Sequence, residues 1–286
     1  MDRQIDQSAA SPILVTGGTG TLGRLVVARL RDAGRAVRVL NRGRRPHEEA
    51  DGVEHVTGDL ATGTGVEAAV AGVEVVVHCA GTARGDERKT HHLVRAAAQA
   101  GVRHLVYISV VGADRVPVSG RLDRAMFGYF ASKRAAEEVV AGSGLPWTIL
   151  RATQFHEALF MTAQGMAKLP VMPAMAGFRF QPVSADEVAA RLVEIALGAP
   201  AGRVPDLAGP RTYEMADLLR LYLRATGRRR LVVRVPTFGR AAAAVRGGAV
   251  LAPERAVGQL SWEDFLVRRV GDPTLSGTIR GTGRAW

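Results

Sequence analysis

The chain has 286 residues, 47% of them hydrophobic, one cysteine and a formal net charge of +11 at pH 7. A single cysteine excludes an internal disulfide, and no run is apolar for long enough to predict a membrane-spanning helix. Lysine occurs only at positions 89, 133 and 168, so the excess charge is arginine; it is scattered, with short clusters such as Arg228-Arg229-Arg230, and without the zinc-ligand spacing or aromatic-basic interleaving that would predict a nucleic-acid partner.

The polar segment Met1 to Ser11 lacks an apolar signal run, so a cytoplasmic protein without a membrane partner is the expectation. Ile13-Leu14-Val15 then opens a strand expected over 13–17, and a helix is expected over 22–33. Between them lies Thr16-Gly17-Gly18-Thr19-Gly20-Thr21-Leu22-Gly23. A glycine-rich turn between strand and helix lets backbone N–H groups meet a pyrophosphate at a helix N-terminus. Gly17 allows the tight turn, Gly20 the approach of the phosphates, and Gly23 close packing of helix on strand. No GxxxxGK[ST] sequence is present, so a mononucleotide phosphate loop is not expected.

Further strands are expected over 36–41, 53–56, 74–79, 104–109 and 147–151, alternating with helices over 64–71, 88–100 and 131–142, with Gly34, Gly72, Gly101 and Gly144 as helix stops. This alternation predicts an α/β chain with a mostly parallel sheet covered on both faces. The second strand ends in Leu40-Asn41-Arg42-Gly43-Arg44-Arg45, with no carboxylate to accept from a ribose 2′-hydroxyl. Arg42, supplemented by Arg44 or Arg45, suits a 2′-phosphate, which favours NADP over NAD. Asn41 lies beside them as a further cofactor contact. Asp59, followed by Leu60, is placed to accept from the adenine amino group or simply to cap a turn. Ala80-Gly81-Thr82 closes the fourth strand with small residues that permit close cofactor approach.

Tyr129-Phe130-Ala131-Ser132-Lys133 carries the clearest chemistry. Tyrosine and lysine at i,i+4 share a helix face, so Lys133 can lower the Tyr129 pKa and hold a ribose while Tyr129 acts as proton donor. The alternative is a packed ring beside an exposed cation. Beyond Arg151, the segment holding Phe155, His156, Phe160, Met161 and Met166 is an expected substrate side, or else the packing of a small lobe. Helices are expected at 185–197, 214–226 and 261–270. The adjacent pair His91-His92 has no ligand spacing and predicts no metal site.

Several of these stretches together resemble the short-chain dehydrogenase/reductase superfamily, and within it the atypical, NmrA-like branch of NAD(P)-binding proteins. The resemblance rests on Thr16 to Gly23, Gly58-Asp59, His78-Cys79-Ala80-Gly81, Tyr107-Ile108-Ser109 and Tyr129 to Lys133. It continues through Ser143-Gly144-Leu145-Pro146-Trp147-Thr148-Ile149-Leu150-Arg151 and Gln181-Pro182-Val183, and covers roughly residues 12–270. It implies a Rossmann-type doubly wound sheet over 12–157 and a smaller C-terminal substrate lobe over 158–270, with a possible strand returning to the main sheet and a flexible tail over 271–286. It also implies a Ser-Tyr-Lys set in which Tyr129 and Lys133 match and Ser109 is the candidate serine. Val110 and Val111 stand where extended members often place that hydroxyl, and no supporting asparagine is assigned. The function expected is hydride transfer between NADPH and a small or medium organic carbonyl, quinone or conjugated double bond, by a monomer or homodimer without a metal. A non-catalytic NAD(P)-binding redox sensor and a nucleotide-retaining epimerase or dehydratase are the alternatives.

Overall fold

The structure is a computed structural model that describes residues 11–43, 52–81 and 85–271. Its centre is a seven-stranded sheet. The strands are β1 (Ile13–Thr16), β2 (Val37–Asn41), β3 (Val53–Thr57), β4 (Val75–His78), β5 (His104–Val110), β6 (Trp147–Ala152) and β9 (Gly202–Arg203). Every pairing is parallel, in the order β3-β2-β1-β4-β5-β6-β9. β5 is buried along its whole length, as a strand covered on both faces must be, which explains its mostly apolar reading between His104 and Ser109.

Helices α1 (Thr21–Asp32) and α6 (Ala185–Leu197) cover one face, joined to it through Val26, Leu30, Val188 and Leu192. Helices α2 (Val66–Val70), α3 (Asp86–Gln99) and α4 (Arg121–Ala141) cover the other, through Val66, Leu93, Ala136 and Val140. The chain runs outward from β1 to β3 and returns at β4 on the opposite side of β1. Ligand clefts of open parallel sheets form at such a reversal, beyond the carboxyl ends of the strands.

The doubly wound sheet is as the sequence leads one to expect. One detail differs. α4 begins at Arg121 rather than near 131, because the Asp123 carboxylate accepts from the Ser119 and Gly120 amides and starts the helix early. From the segment beyond residue 157, β9 pairs with β6 of the main sheet and α6 packs on that sheet. The second lobe has its own core. Helix α5 (His156–Met166), strands β7 (Val171–Met175) and β8 (Arg179–Phe180), strand β10 (Tyr213–Glu214) and α7 (Met215–Ala225) build it. Strand β11 (Leu231–Val235), α8 (Arg240–Arg246) and α9 (Trp262–Gly271) complete it. Among the described residues, no helix is long and apolar enough to cross a membrane.

Candidate active site

The glycine turn sits at the sheet's reversal point. Gly17 adopts φ +70, a left-handed conformation open to glycine, and its carbonyl accepts from the Gly20 amide at 2.9 Å. A Cβ at Gly17 would lie 2.7 Å from the Ala80 nitrogen; at Gly18, 2.8 Å from the Val39 side chain; at Gly23, 2.1 Å from the Gly17 oxygen. The turn is therefore pressed against the end of β4 on one side and its own helix on the other. α1 starts at Gly20 without a side-chain cap and without a carboxylate in its first turn, and Thr19 and Gly20 are exposed. A helix N-terminus left in that state has amide hydrogens and a favourable dipole for an anion. A phosphate-bearing dinucleotide fits this cradle, with Thr21 and Leu22 supplying the next amides.

Beneath the turn runs a buried polar chain. The Ala80 amide donates to Thr16 Oγ1 at 3.5 Å, and Thr16 Oγ1 lies 2.6 Å from His78 Nδ1. His78 Nε2 lies 3.3 Å from Thr90 Oγ1, which itself donates to the Asp86 carbonyl at 2.7 Å. Because the Thr90 proton is committed, its oxygen accepts from His78 Nε2–H, and Nδ1 accepts from Thr16. Burial pushes the His78 pKa down to about 3, so the ring is neutral and the chain has one direction.

Lys133 occupies the adjacent buried space, 4% exposed. Its Nζ donates to Tyr107 Oη and to the Ile108 carbonyl, each at 3.2 Å, and lies 3.4 Å from Asp86 Oδ2. Two hydrogen bonds and one ion pair thus tie the ammonium to the protein. Burial opposes the charge, but Tyr107, Tyr129 and Asp86 outweigh it and hold the lysine pKa above its ordinary value. Tyr107, stacked on His78, is pushed up to about 12 by burial and remains a neutral phenol. The Gly81 backbone lies over this group, for a Cβ there would come 2.9 Å from Lys133 Nζ.

Tyr129 is one turn before Lys133 on α4 and is 39% exposed, with its ring centroid 5.9 Å from the Lys133 nitrogen. Ser109 is buried on β5, and its Oγ has no hydrogen-bond partner among the described residues. It faces Arg151 across the β5–β6 register; Arg151 is gripped by Glu137 and by Asp114 Oδ1 at 2.7 Å. Asp86 carries no signal of its own in the sequence, and Tyr107 enters there only within the stretch Tyr107-Ile108-Ser109. The available signal was lysine scarcity, since Lys133 and Lys89 both approach Asp86, at 3.4 and 3.8 Å.

The remaining candidates separate. Arg42 is exposed at the end of β2 with no ion pair among the described residues, while the Asn41 side-chain amide is taken by His55 Nδ1 at 3.0 Å. Arg44, Arg45 and Thr82 lie outside the described residues, as do residues 272–286 of the expected tail. Asp59 Oδ1 accepts from the Ala61 amide at 2.8 Å, the turn-capping use, and Leu60 is buried with its carbonyl bonded to His92.

On the substrate side two candidates take the packing role that the sequence left open. His156 is wholly buried, stacked on Trp262 and Phe265, and its Nε2 donates to the Leu260 carbonyl. Phe160 packs edge-on to Tyr222 and Phe265. Both spend their surface in the lobe core and have none left for a ligand. Phe155 and Met166 are half-buried, and Met161 alone of the five is exposed. The apolar surface beside Tyr129 comes instead from Leu122 and Met126, on the same face of α4 at i, i+4, i+7 spacing and both exposed. The loop holding exposed Phe238 reaches the start of the same helix, where Gly239 lies near Asp123. Among the described residues no group of three His, Cys, Asp or Glu side chains is arranged to hold a metal.

Comparison with known proteins bears on the family and the fold. A family described as NAD(P)H-binding matches residues 17–197. A (4-alkanoyl-5-oxo-2,5-dihydrofuran-3-yl)methyl phosphate reductase from Streptomyces griseus is 36% identical over 170 residues, covering 58% of this chain and 55% of the relative. The chain thus spans about half the length of that relative. A ceramide reductase from Caulobacter vibrioides is 30% identical over 253 residues, covering 81% of this chain and 75% of its own. An NADPH-dependent quinone oxidoreductase from Escherichia coli, solved with NADPH, superposes with a TM-score of 0.74 at 18% identity, covering 90% of this chain and 99% of its own; it is a likeness of fold.

Proposed function

This chain belongs to the NAD(P)H-binding family, and from that premise we propose that it is an NADPH-dependent oxidoreductase acting on a small or medium organic carbonyl, quinone or conjugated double bond. The relatives named as reductases support the direction of the chemistry. The observation that carries the reading is a solvent-open phenol, Tyr129, one helical turn from a buried ammonium.

The cofactor would be held by the amides of Thr19 to Leu22, by Arg42 at a 2′-phosphate, by Asp59 and Leu60 toward the adenine, and by the small Ala80 and Gly81. When bound, it supplies the hydride. Tyr129 Oη passes its proton to the substrate oxygen or carbon that needs one and regains it from solvent. A nearby buried cation stabilises the negative charge that grows on the phenol as the proton leaves. In the arrangement described, Lys133 acts through that charge. Ser109 brings a hydroxyl with unspent bonding capacity on the same sheet face. Leu122, Met126 and Phe238 favour a substrate with an apolar part.

The hold of Tyr107, Ile108 and Asp86 on Lys133 favours a second reading, a nucleotide-binding regulator without turnover. Following NADPH oxidation over a panel of carbonyls and quinones separates the two. Catalysis predicts turnover that falls about 10²–10⁴-fold in Tyr129→Phe with cofactor affinity retained. Unchanged turnover in that variant removes Tyr129 from the acid role. Cofactor binding without oxidation of any panel member selects the regulator.

A further inference from the structure

The second lobe carries a groove of about 960 Å³ whose chemistry is unlike that of the nucleotide cleft. Lys168, Arg220, Arg224, Arg228, Arg229 and Arg230 line it, with Leu231 and Pro170 among its apolar residues. Two turns build it. α5 ends at Met166 and continues through Lys168-Leu169-Pro170 into β7; α7 ends at Ala225 and continues through Arg228-Arg229-Arg230 into β11. β7 and β11 pair in parallel with Leu231 beside Val171, so the two basic turns lie together. Arg230 Nε ties them by donating to the Ala167 carbonyl at 3.1 Å.

Several arginines elsewhere answer carboxylates, as Arg29 does Asp186 and Arg134 does Glu138. Of the six basic side chains in this groove, Arg220 alone has an ion pair among the described residues, with Asp217. Helix dipoles explain part of the charge, because α5 and α7 both direct their C-termini here and Arg224 lies in the last turn of α7. They do not explain the apolar residues set among the cations. Leu169 is 49% exposed and Leu231 63%, each next to a basic residue in sequence, and Val171 is exposed beside them.

We propose that this face docks on an anionic lipid bilayer. Cations near such a surface gain from its negative potential, while exposed aliphatic side chains enter the boundary between headgroups and acyl chains. A second copy of this chain would set like charges against each other. Single-stranded nucleic acid is gripped by aromatic side chains that stack on bases, and no aromatic lines this groove. The expectation of no membrane partner rests on the lack of a spanning run and of an apolar signal run, neither of which surface docking needs.

Flotation of the full chain with phosphatidylcholine vesicles, with and without phosphatidylglycerol, tests the proposal. Binding is expected on the anionic vesicles and is expected to fall at least about tenfold in Arg228→Glu with Arg229→Glu. The same charge change at Arg88→Glu with Arg95→Glu, on α3, should leave most of it. Leu169→Ser with Leu231→Ser should lower binding several-fold without altering charge. Equal binding to neutral vesicles, or equal loss in the α3 variant, would overturn the proposal. So would tighter binding to duplex DNA that ignores the leucine substitutions.

Discussion

The two lobes bury polarity in opposite ways. Under the nucleotide cleft, polar groups are enclosed and ordered: Ala80, Thr16, His78, Thr90 and Asp86 form one directed chain, and Lys133 is held by Tyr107, Ile108 and Asp86. In the second lobe the core is aromatic and aliphatic, with Trp262 stacked on Phe265 and Phe160 edge-on to Phe265 and Tyr222, and charge is confined to the rim. A buried group with one satisfied arrangement holds its neighbours in place. The first lobe is therefore built to fix positions, and the second to present a surface. Substitutions in the first should cost far more than those in the second, and four experiments probe that difference.

The largest effect is expected where no side chain fits. Gly23→Val puts a carbon about where the Gly17 oxygen stands, so NADPH affinity should fall at least about 100-fold, roughly 2.7 kcal/mol. Gly165→Ala in α5, where an added methyl meets nothing, should leave affinity unchanged in the same fluorescence titration.

Asp86→Ala comes next. It strands the buried Lys133 ammonium and should destabilise the fold by about 3–5 kcal/mol in urea unfolding. A loss below about 1 kcal/mol, the range of exposed pairs, would mean that the pocket is wetter than described.

The buried histidine gives a pH signature. The His78 pKa is about 3 in the folded chain, below its ordinary 6.5, so the unfolded chain binds the extra proton between those values. Stability is complete above 6.5 and declines as pH falls toward 3, with a limiting slope of about 1.4 kcal/mol per unit from this residue. His104 and His156 are also shifted down by burial and act in the same sense. Unfolding at pH 6.5 and pH 5 should therefore show a shallower decline in His78→Gln than in the native chain.

The smallest effect lies at the exposed rim of the cleft. Arg42→Glu should reduce the preference for NADPH over NADH about tenfold, with little change in stability. An unaltered ratio of the two affinities would assign the phosphate contact to another residue.

The same contrast decides how much the sequence discloses. The glycine turn and the six first strands are legible because backbone clashes demand glycine and buried parallel strands demand apolar runs. The first ten residues of α4 escape notice because Leu122 and Met126 face solvent and leave no apolar stripe. β7 contains Pro173, and β8 and β10 are two residues each, too short for a period. Tyr129 and Lys133 stand out by rarity and spacing. Asp86 and Tyr107 meet Lys133 only through the packing of α3 and β5 against α4, a long-range fact with no local pattern. His156 and Phe160 show the converse, since an aromatic in a lobe core and one in a pocket have the same neighbours in sequence.

Calorimetric titration of the full native chain with NADPH and NADH is the most direct test, because every functional reading requires a dinucleotide in the cleft beside Gly17. The account predicts saturable one-to-one binding, tighter for NADPH and lost in Gly23→Val. Folded protein that takes up neither nucleotide would contradict it.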